Sequence, residues 1–172
     1  MTFFDVIRQR RSIRNFLQTP VAEDKLKCIL EAANAAPSAG NYQSYEIYIV
    51  ADRHNRMDLA RAAHEQLFIA SAPVSLVFCA HAARSVERYG KRGEKLYSVQ
   101  DATIACAFAM LAATAQGLGS VWVGSFDTDE VRKIIGAPAG IVPVSVLPIG
   151  YAAERPEPVE RRDLEDLVHR VE

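Results

Sequence analysis

The feature of this chain that most constrains its fold is residues 102–115, a run of fourteen residues that is almost entirely apolar and rich in alanine. As a helix it would be about 21 Å long, too short for the roughly 30 Å core of a bilayer, so we expect it to be buried in the protein. Its small side chains would let another helix approach closely, at a domain centre or a subunit interface. Ser98 and Asp101 are predicted to form a capping box at its start, and Gly117 or Gly119 to supply a left-handed C-cap.

Helices and strands alternate irregularly along the rest of the chain, which favours the α+β fold class in a single domain over residues 1–172. Thr2 and Asp5 have the spacing of a capping box for a first helix that ends near Arg11. The remaining elements are predicted from apolar spacing and turn residues: a helix over 26–33, strands at 45–50, 74–80, 121–123 and 142–149, a helix over 52–70, a mobile basic loop or short helix over 84–95, and a helix from Asp127 to Gly136.

The composition excludes several functional classes. Lys+Arg 20 against Asp+Glu 21 leaves a net charge of -1, so we expect neither a nucleic-acid nor a membrane partner. The first residues lack the apolar core of a signal peptide, which predicts a cytoplasmic protein. Cys28, Cys79 and Cys106 form no CxxC pair and lie in apolar surroundings, so they are predicted to be buried. Since His, Cys and acidic residues have no metal-ligand spacing, no metal is expected.

The sequence Arg10-Arg11-Ser12-Ile13-Arg14 places three guanidiniums and a hydroxyl within five positions. Arginine binds phosphate oxygens bidentately and keeps its charge, and a serine hydroxyl adds a short neutral donor. The segment is therefore a candidate anion site. A solvated helix C-terminus, where arginines oppose the helix dipole, is an equally good interpretation of these residues alone.

Two further polar loops stand between apolar elements, at residues 38–43 and 119–124. Asn41 and Gln43 each donate and accept hydrogen bonds, as recognition of a polar-edged heterocycle requires, although such residues are also common in turns. The chain has no GxSxG nucleophile elbow, no P-loop, and no GxGxxG between a strand and a helix. Hydrolase and dinucleotide-binding interpretations are therefore disfavoured.

Four motifs follow one another along the chain: RRSIR at 10–14, APSAGNYQ at 36–43, YGKRGEKLYSVQDATIA at 89–105, and GLGSVWVG at 117–124. Taken in this order, they resemble the FMN-dependent nitroreductase superfamily, in particular its short single-domain members. The resemblance implies a central, mostly antiparallel sheet flanked by helices, in an intertwined homodimer with FMN at the interface. It further implies that the C-terminal tail, about 154–172, reaches the partner subunit.

The resemblance also assigns site residues. It implies that Asn41 and Gln43 come from the second subunit, and that Arg162 is the alternative to Arg161 at the phosphate. Tyr89 and Arg92, in a segment that covers the site, are the implied substrate-binding residues. The implied FMN-binding residues are Arg10, Arg11 and Ser12 at the phosphate and ribityl region, Arg14 at the pyrimidine edge, Pro37, Ser38, Ala39, Asn41 and Gln43 around the ring, Val121, Trp122 and Gly124 beneath it, and Arg161 at the phosphate.

By the same resemblance, the function is an NAD(P)H-dependent oxidoreductase. NADH or NADPH would reduce FMN, and a nitroaromatic or quinone would reoxidise it in a ping-pong cycle, with the chemistry at flavin N5 and no catalytic side chain. An FMN-dependent reductive dehalogenase or flavin-degrading enzyme and a non-catalytic flavin-binding or storage protein are the alternatives. Many relatives have Pro-Trp where this chain has Ser44-Tyr45, which alters the expected pocket shape there.

Overall fold

In a computed structural model that describes residues 1–171, the chain forms a four-stranded antiparallel sheet flanked by helices. The strand order is β1-β2-β4-β3. The strands are β1 (Tyr45–Val50), β2 (Val74–His81), β3 (Gly119–Ser120) and β4 (Ile141–Gly150). The helices are α1 (Phe3–Gln9), α2 (Glu23–Asn34), α3 (Arg53–Ala62), α4 (Phe68–Ser71), α5 (Ala83–Arg92), α6 (Ser98–Ala115) and α7 (Thr128–Ile134), with a π-helical turn at Gly93–Tyr97 and 3-10 turns at Ala39–Asn41 and Leu164–Asp166.

The alanine-rich helix α6 lies in the core, as predicted. It packs against α2 and against strands β2 and β4, and its residues Ala102, Ala105, Ala109 and Ala113 have no exposed surface. The continuous helical run Ala83–Ala115 is long and apolar enough to cross a membrane by length and composition alone. The core accounts for the apolar composition of the α6 face that carries these four alanines.

Several predicted elements are confirmed by their local chemistry. Thr2 and Asp5 form the capping box of α1, and the Asp127 side chain accepts the Glu130 N–H at the start of α7. Gly117 has a φ of 75°, the left-handed conformation expected after α6. In β4, Pro143 lies at an irregularity of the ladder with β2, between Phe78 and Cys79, where its missing N–H costs little.

The predicted helix over 52–70 is wrong as a single element. It breaks into α3 and α4 because His64 and Glu65 adopt left-handed φ values of 58° and 61°. The Gln66 side chain stabilises this break by donating to the carbonyl of Ala63 at 2.8 Å. A two-residue reversal without glycine or proline leaves no signal in the apolar spacing.

The capping box predicted for Ser98 and Asp101 is also wrong. The π-helical turn runs into α6 without interruption, so the start of α6 has no free N–H groups to cap, and no side-chain cap is formed. Asp101 is buried and bonds elsewhere, as described below.

For residues 84–95 the sequence left a mobile loop and a short helix open, and the helix is confirmed: the segment forms α5, which kinks at Gly90 (φ 54°), and the π-helical turn. Two smaller predictions require correction. The strand expected at 121–123 lies earlier, at Gly119–Ser120, with only Val123 bridging to Val146. Cys28 is exposed, since it lies on the outer side of α2, whereas Cys79 and Cys106 are buried as predicted.

Candidate functional site

The arginine cluster begins where α1 ends. One terminal nitrogen of the Arg11 guanidinium donates to the carbonyls of Arg8 and Arg10, at 2.7 and 2.9 Å. These carbonyls lie at the last turn of the helix and lack helical partners. Arg11 therefore caps the helix, the role that the sequence left open.

The cluster is fixed to the sheet through its next two residues. Ser12 forms a parallel bridge with Ser120, and the Ile13 N–H donates to the Ser120 carbonyl at 3.0 Å. Ile13 is buried against Phe16, and a Cβ on Gly119 would lie 2.7 Å from its Cγ1. Only glycine at 119 lets Ile13 pack so closely, and this contact brings residues 10–14 to the β3 edge of the sheet.

A cavity of about 590 Å³ opens beside this segment. Five guanidiniums and one carboxylate, that of Glu157, line it. Burial, followed by the charges of Arg161 and Arg11, lowers the pKa of Arg10. Within residues 1–171, the guanidiniums of Arg10, Arg11, Arg14 and Arg161 form no salt bridge. Like charges held together without a carboxylate partner are suited to binding an anion.

The structure distinguishes the two arginines of the C-terminal tail. Arg161 lines the cavity, whereas Arg162 donates to the carbonyl of Asp166 at 2.8 Å and thus bonds within the tail. Of the two alternatives, the position of Arg161 is the one suited to an anion in the cavity.

Arg14 lies at the far end of the cluster and is exposed. Its guanidinium carbon is 5.8 Å from the centroid of the Phe68 ring, and its backbone N–H donates to the Glu154 carboxylate. The same carboxylate accepts the Asn15 N–H at 3.0 Å. These two bonds tie the cluster to the start of the C-terminal tail.

The predicted segment Val121–Gly124 lies at the same edge of the sheet. Val121 is buried, Trp122 packs on the core beside α6, and the Val123 N–H donates to the Val146 carbonyl at 2.9 Å. Gly124 is exposed, and a Cβ there would meet the Trp122 indole at 3.1 Å. The structure thus brings this segment and the arginine cluster together.

The loop Pro37–Gln43 precedes β1 and has an unusual backbone. Gly40, Asn41 and Gln43 all have left-handed φ values, of 57°, 59° and 48°. The Ser38 hydroxyl accepts the Gln43 N–H at 3.0 Å, and the Gln43 amide donates to the Asn41 side-chain oxygen at 3.1 Å. Since non-glycine residues rarely adopt this conformation, the loop is held in shape by its contacts.

Asp101 makes the main contact that holds this loop, a role that the sequence analysis did not predict. Its side chain is 2% exposed, and its two carboxylate oxygens accept the N–H groups of Ala39 and Ser44, at 3.0 and 3.1 Å. The same loop packs against α5 through Tyr42 and Tyr89, whose ring centroids are 5.9 Å apart. In the sequence, Asp101 stands out as a single acidic residue in an apolar helix. That signal was interpreted as part of a capping box, so its contact with the loop was not predicted.

Tyr89 and Arg92, the predicted substrate-binding residues, lie beside this loop. A Cβ on Gly40 would be 2.5 Å from the Tyr89 hydroxyl, and the Tyr89 and Tyr97 rings are 5.1 Å apart. The Arg92 Nε donates to the Tyr97 hydroxyl at 3.0 Å. The helical segment α5 thus covers the loop through tyrosine contacts.

The two parts of the candidate site lie at opposite corners of the sheet. Ser120 pairs with Ile149 on β4, which pairs with Val74 at the start of β2, whereas Tyr45 pairs with Ala80 near the end of β2. Three strand spacings and six residues along a strand separate the corners, about 25 Å. One subunit therefore does not bring residues 10–14 and 37–43 together.

Comparison with known proteins assigns the chain to a family. The model described as Nitroreductase family matches residues 7–81 and 65–151. The NADH dehydrogenase of Thermus thermophilus is 33% identical over 187 residues, which cover 93% of this chain and 91% of that protein. A putative NADH dehydrogenase/NAD(P)H nitroreductase of Methanothermobacter thermautotrophicus is 31% identical over 160 residues, covering 91% of this chain and 80% of that protein.

A solved structure agrees with these relatives. The NADPH:FMN oxidoreductase from Vibrio harveyi complexed with NAD+ has a TM-score of 0.90 and 27% identity, covering 99% of this chain and 77% of that one. The protein belongs to the nitroreductase family. The predicted family and the α+β fold class are confirmed.

Proposed function

We propose that the protein is an FMN-dependent oxidoreductase that passes two electrons from NADH or NADPH to an electron-poor acceptor, a nitroaromatic or a quinone, by a ping-pong mechanism. The observation that carries the proposal is the cavity lined by Arg10, Ser12 and Arg161, where guanidiniums without a salt bridge among residues 1–171 suit a phosphate. The flavin is inferred from family membership, because relatives are named FMN reductase and NADPH-flavin oxidoreductase.

The residues of the cavity fit FMN by charge and by chemistry. Arg10, Arg11 and Arg161 would hold the phosphate, with the Ser12 hydroxyl as a neutral donor. Arg14 would lie at the pyrimidine edge and stabilise negative charge there. Val121, Trp122 and Gly124 would support the ring from the same edge of the sheet.

The remaining flavin contacts would come from a second copy of the chain. Pro37, Ser38, Ala39, Asn41 and Gln43 belong to the distant corner, so a homodimer is needed to bring that loop to the arginine cluster. Exposed apolar residues on two helices support such a dimer: Phe3, Phe4 and Ile7 on α1, and Val99 and Phe108 on α6. The C-terminal tail, about 154–172, would extend over the partner, since its Leu164, Leu167 and Val168 are exposed.

When bound, FMN would supply two-electron chemistry at its N5 atom, accepting from the nicotinamide and donating to the acceptor in turn. The protein would bind and orient FMN and tune its charge, with no side chain acting as a catalytic acid or base. Tyr89 and Arg92 on the covering segment would contact the second substrate.

Anaerobic mixing tests the proposed activity. Purified protein loaded with FMN is mixed with NADH and, separately, with NADPH, and the flavin absorbance band is followed. We expect rapid bleaching by at least one nicotinamide and recovery on addition of a nitroaromatic or a quinone. A flavin that neither nicotinamide bleaches would contradict the oxidoreductase and favour a storage protein.

The phosphate site is tested by Arg10→Gln. Loss of a charge-assisted contact removes about 1.5 to 3 kcal/mol, so the Kd for FMN should rise about 10- to 150-fold, as measured by flavin fluorescence titration. Arg162→Gln is the matched control, because it removes the same charge from a side chain that bonds within the tail. Equal FMN affinity in Arg10→Gln and Arg162→Gln would refute the phosphate role.

A further inference from the structure

Asp101 is a buried carboxylate that the proposed oxidoreductase does not use. It lies in the first turn of α6, is 2% exposed, and forms no salt bridge within residues 1–171. A buried polar group so placed must be satisfied by hydrogen bonds. Its hydrogen bonds are to the backbone N–H groups of Ala39 and Ser44.

These two N–H groups lie at either end of the strained part of the loop. Between them are Gly40, Asn41 and Gln43, the three residues with left-handed φ values. One oxygen of the carboxylate holds each end, at 3.0 and 3.1 Å. A single rigid group therefore fixes the separation of the two ends and with it the arc of the loop.

The helix that carries Asp101 is itself well anchored. α6 packs on α2, β2 and β4, and the Ser98 hydroxyl donates to the Glu94 carbonyl at 2.9 Å, which joins α6 to the preceding π-helical turn. Tyr89 of α5 contacts Tyr42 of the loop, and Tyr97 of that turn packs against Tyr89. The loop is thus hydrogen-bonded to Asp101 on the core side and covered by Tyr89 on the side of α5.

We propose that Asp101 is a positioning residue for flavin binding: its carboxylate clamps the backbone of residues 39–44 in the shape that presents Ser38, Asn41 and Gln43 to the flavin of the other subunit. The inference rests on the proposed function for the flavin, but the clamp itself is a property of the protein alone. Asp101 contacts neither flavin nor substrate and acts only through the loop.

Amide hydrogen exchange, measured by NMR on the FMN-free protein, tests the clamp. In the wild type we expect the N–H groups of Ala39 and Ser44 to be protected. In Asp101→Asn the side-chain NH2 must face one of these donors, so exchange at one or both should be at least tenfold faster. Wild-type amides that exchange at unprotected rates, or equal exchange in Asp101→Asn, would overturn the proposal whether or not a variant folds well.

Flavin binding tests the consequence. We expect Asp101→Asn to raise the Kd for FMN about tenfold and to shift the visible flavin band, a signature that a loss of stability alone would not produce. Asp52→Ala is the control, because it also removes a carboxylate that accepts a backbone N–H, that of Asn55, and lies beyond the opposite end of β1 from the loop. Unchanged affinity and band position in Asp101→Asn would overturn the positioning role. If wild-type protein binds no FMN, the proposed function fails, while the exchange measurement still decides whether the clamp exists.

Discussion

At the exit of α1, single side chains determine both how the helix ends and how much charge faces the cavity. Arg11 donates to two helix carbonyls and still lines the cavity, so its capping role and a phosphate-binding role are compatible. Ile13, between the charged residues, anchors the segment by packing against Gly119. The position of the charged residues beside the β3 edge therefore depends on one buried aliphatic side chain.

The three thiols should differ sharply in reactivity. Burial raises the pKa of Cys79 and of Cys106 to about 12, while Cys28 is exposed. With a disulfide reagent at pH 8, we expect one thiol to react rapidly in the native protein and three in denaturant, because the thiolate is the reacting form. Cys28→Ser is the control and should abolish the rapid phase. Rapid reaction of two or three native thiols would contradict the burial described here.

The same burial gives a pH dependence of stability. The thiols of Cys79 and Cys106 ionise near pH 9 in an unfolded chain but near pH 12 when folded, so their protonated forms favour the folded state. This contribution is fully present below about pH 9 and falls by about 1.4 kcal/mol per pH unit per thiol as the pH rises toward 12.

Among single residues, those predicted well from sequence have local partners. Thr2 with Asp5, Asp127 and Gly117 each act within one turn of their position, and all three predictions are confirmed. Asp101 has the same kind of sequence neighbourhood, but its partners are 57 and 62 positions away. A capping pattern is therefore reliable only where the helix has a free N-terminus, which sequence alone did not reveal.

At the scale of elements, α1 and α6 each present apolar surface that one subunit leaves uncovered. Phe4 is 67% exposed and Ile7 46% exposed on α1, although α1 also packs on α6. Surface helices usually expose a polar face, so this exposed apolar surface suits the interface of the proposed homodimer.

We expect Phe4→Gln combined with Ile7→Gln to weaken the dimer. Burying each side chain contributes about 1.5 to 3 kcal/mol, so the dimer dissociation constant should rise more than tenfold, as measured by sedimentation velocity at micromolar concentration. Leu67→Gln is the control, since Leu67 is 56% exposed elsewhere on the molecule. A wild-type monomer, or a dimer that the double variant leaves intact, would contradict this interface.

Helices and strands were predicted well from the sequence where their apolar pattern is strong. β1 and β2 have runs of apolar and β-branched residues and were located to within a residue. The break at His64-Glu65 was missed because it is made by ordinary helix-compatible residues. For 84–95 the sequence left a loop and a short helix open, because Gly90 and Gly93 usually end a helix. Gly90 does kink α5, with a φ of 54°. At Gly93 an added Cβ would lie 2.5 Å from the Ser85 carbonyl oxygen, a close packing that favours glycine.

At the scale of the whole molecule, the sheet separates the two halves of the candidate site. The order β1-β2-β4-β3 places the arginine cluster and the loop at opposite corners. Strand order and register depend on pairings between distant segments, so sequence spacing could not predict them. Only the family resemblance placed Asn41 and Gln43 in a second subunit, and the sheet geometry now supports the same arrangement for the whole loop.

Which of Arg161 and Arg162 faces the cavity also depends on the path of the chain across the whole molecule. The tail is proline-rich and lacks the apolar spacing of a helix or a strand. The sequence therefore gives no basis for predicting which way either arginine side chain points. The structure differentiates them through the path of the tail across the end of α1, where Arg161 joins the cavity and Arg162 bonds to Asp166.

A mixed dimer shows whether each flavin site combines the arginine cluster of one subunit with the loop of the other. Arg10→Gln damages the cluster; Gly40→Val damages the loop, because Gly40 has a φ of 57° and a Cβ there would be 2.5 Å from the Tyr89 hydroxyl. The two variants are co-expressed with different affinity tags, and the dimer carrying both tags is purified and titrated with FMN.

A site shared between subunits leaves one of the two sites in this mixed dimer fully intact, since both lesions fall in the other. We therefore predict one FMN bound per mixed dimer with wild-type affinity, although each variant homodimer binds FMN weakly. A mixed dimer that binds no FMN with wild-type affinity would place the cluster and the loop of each site in the same subunit and would contradict a site shared between subunits.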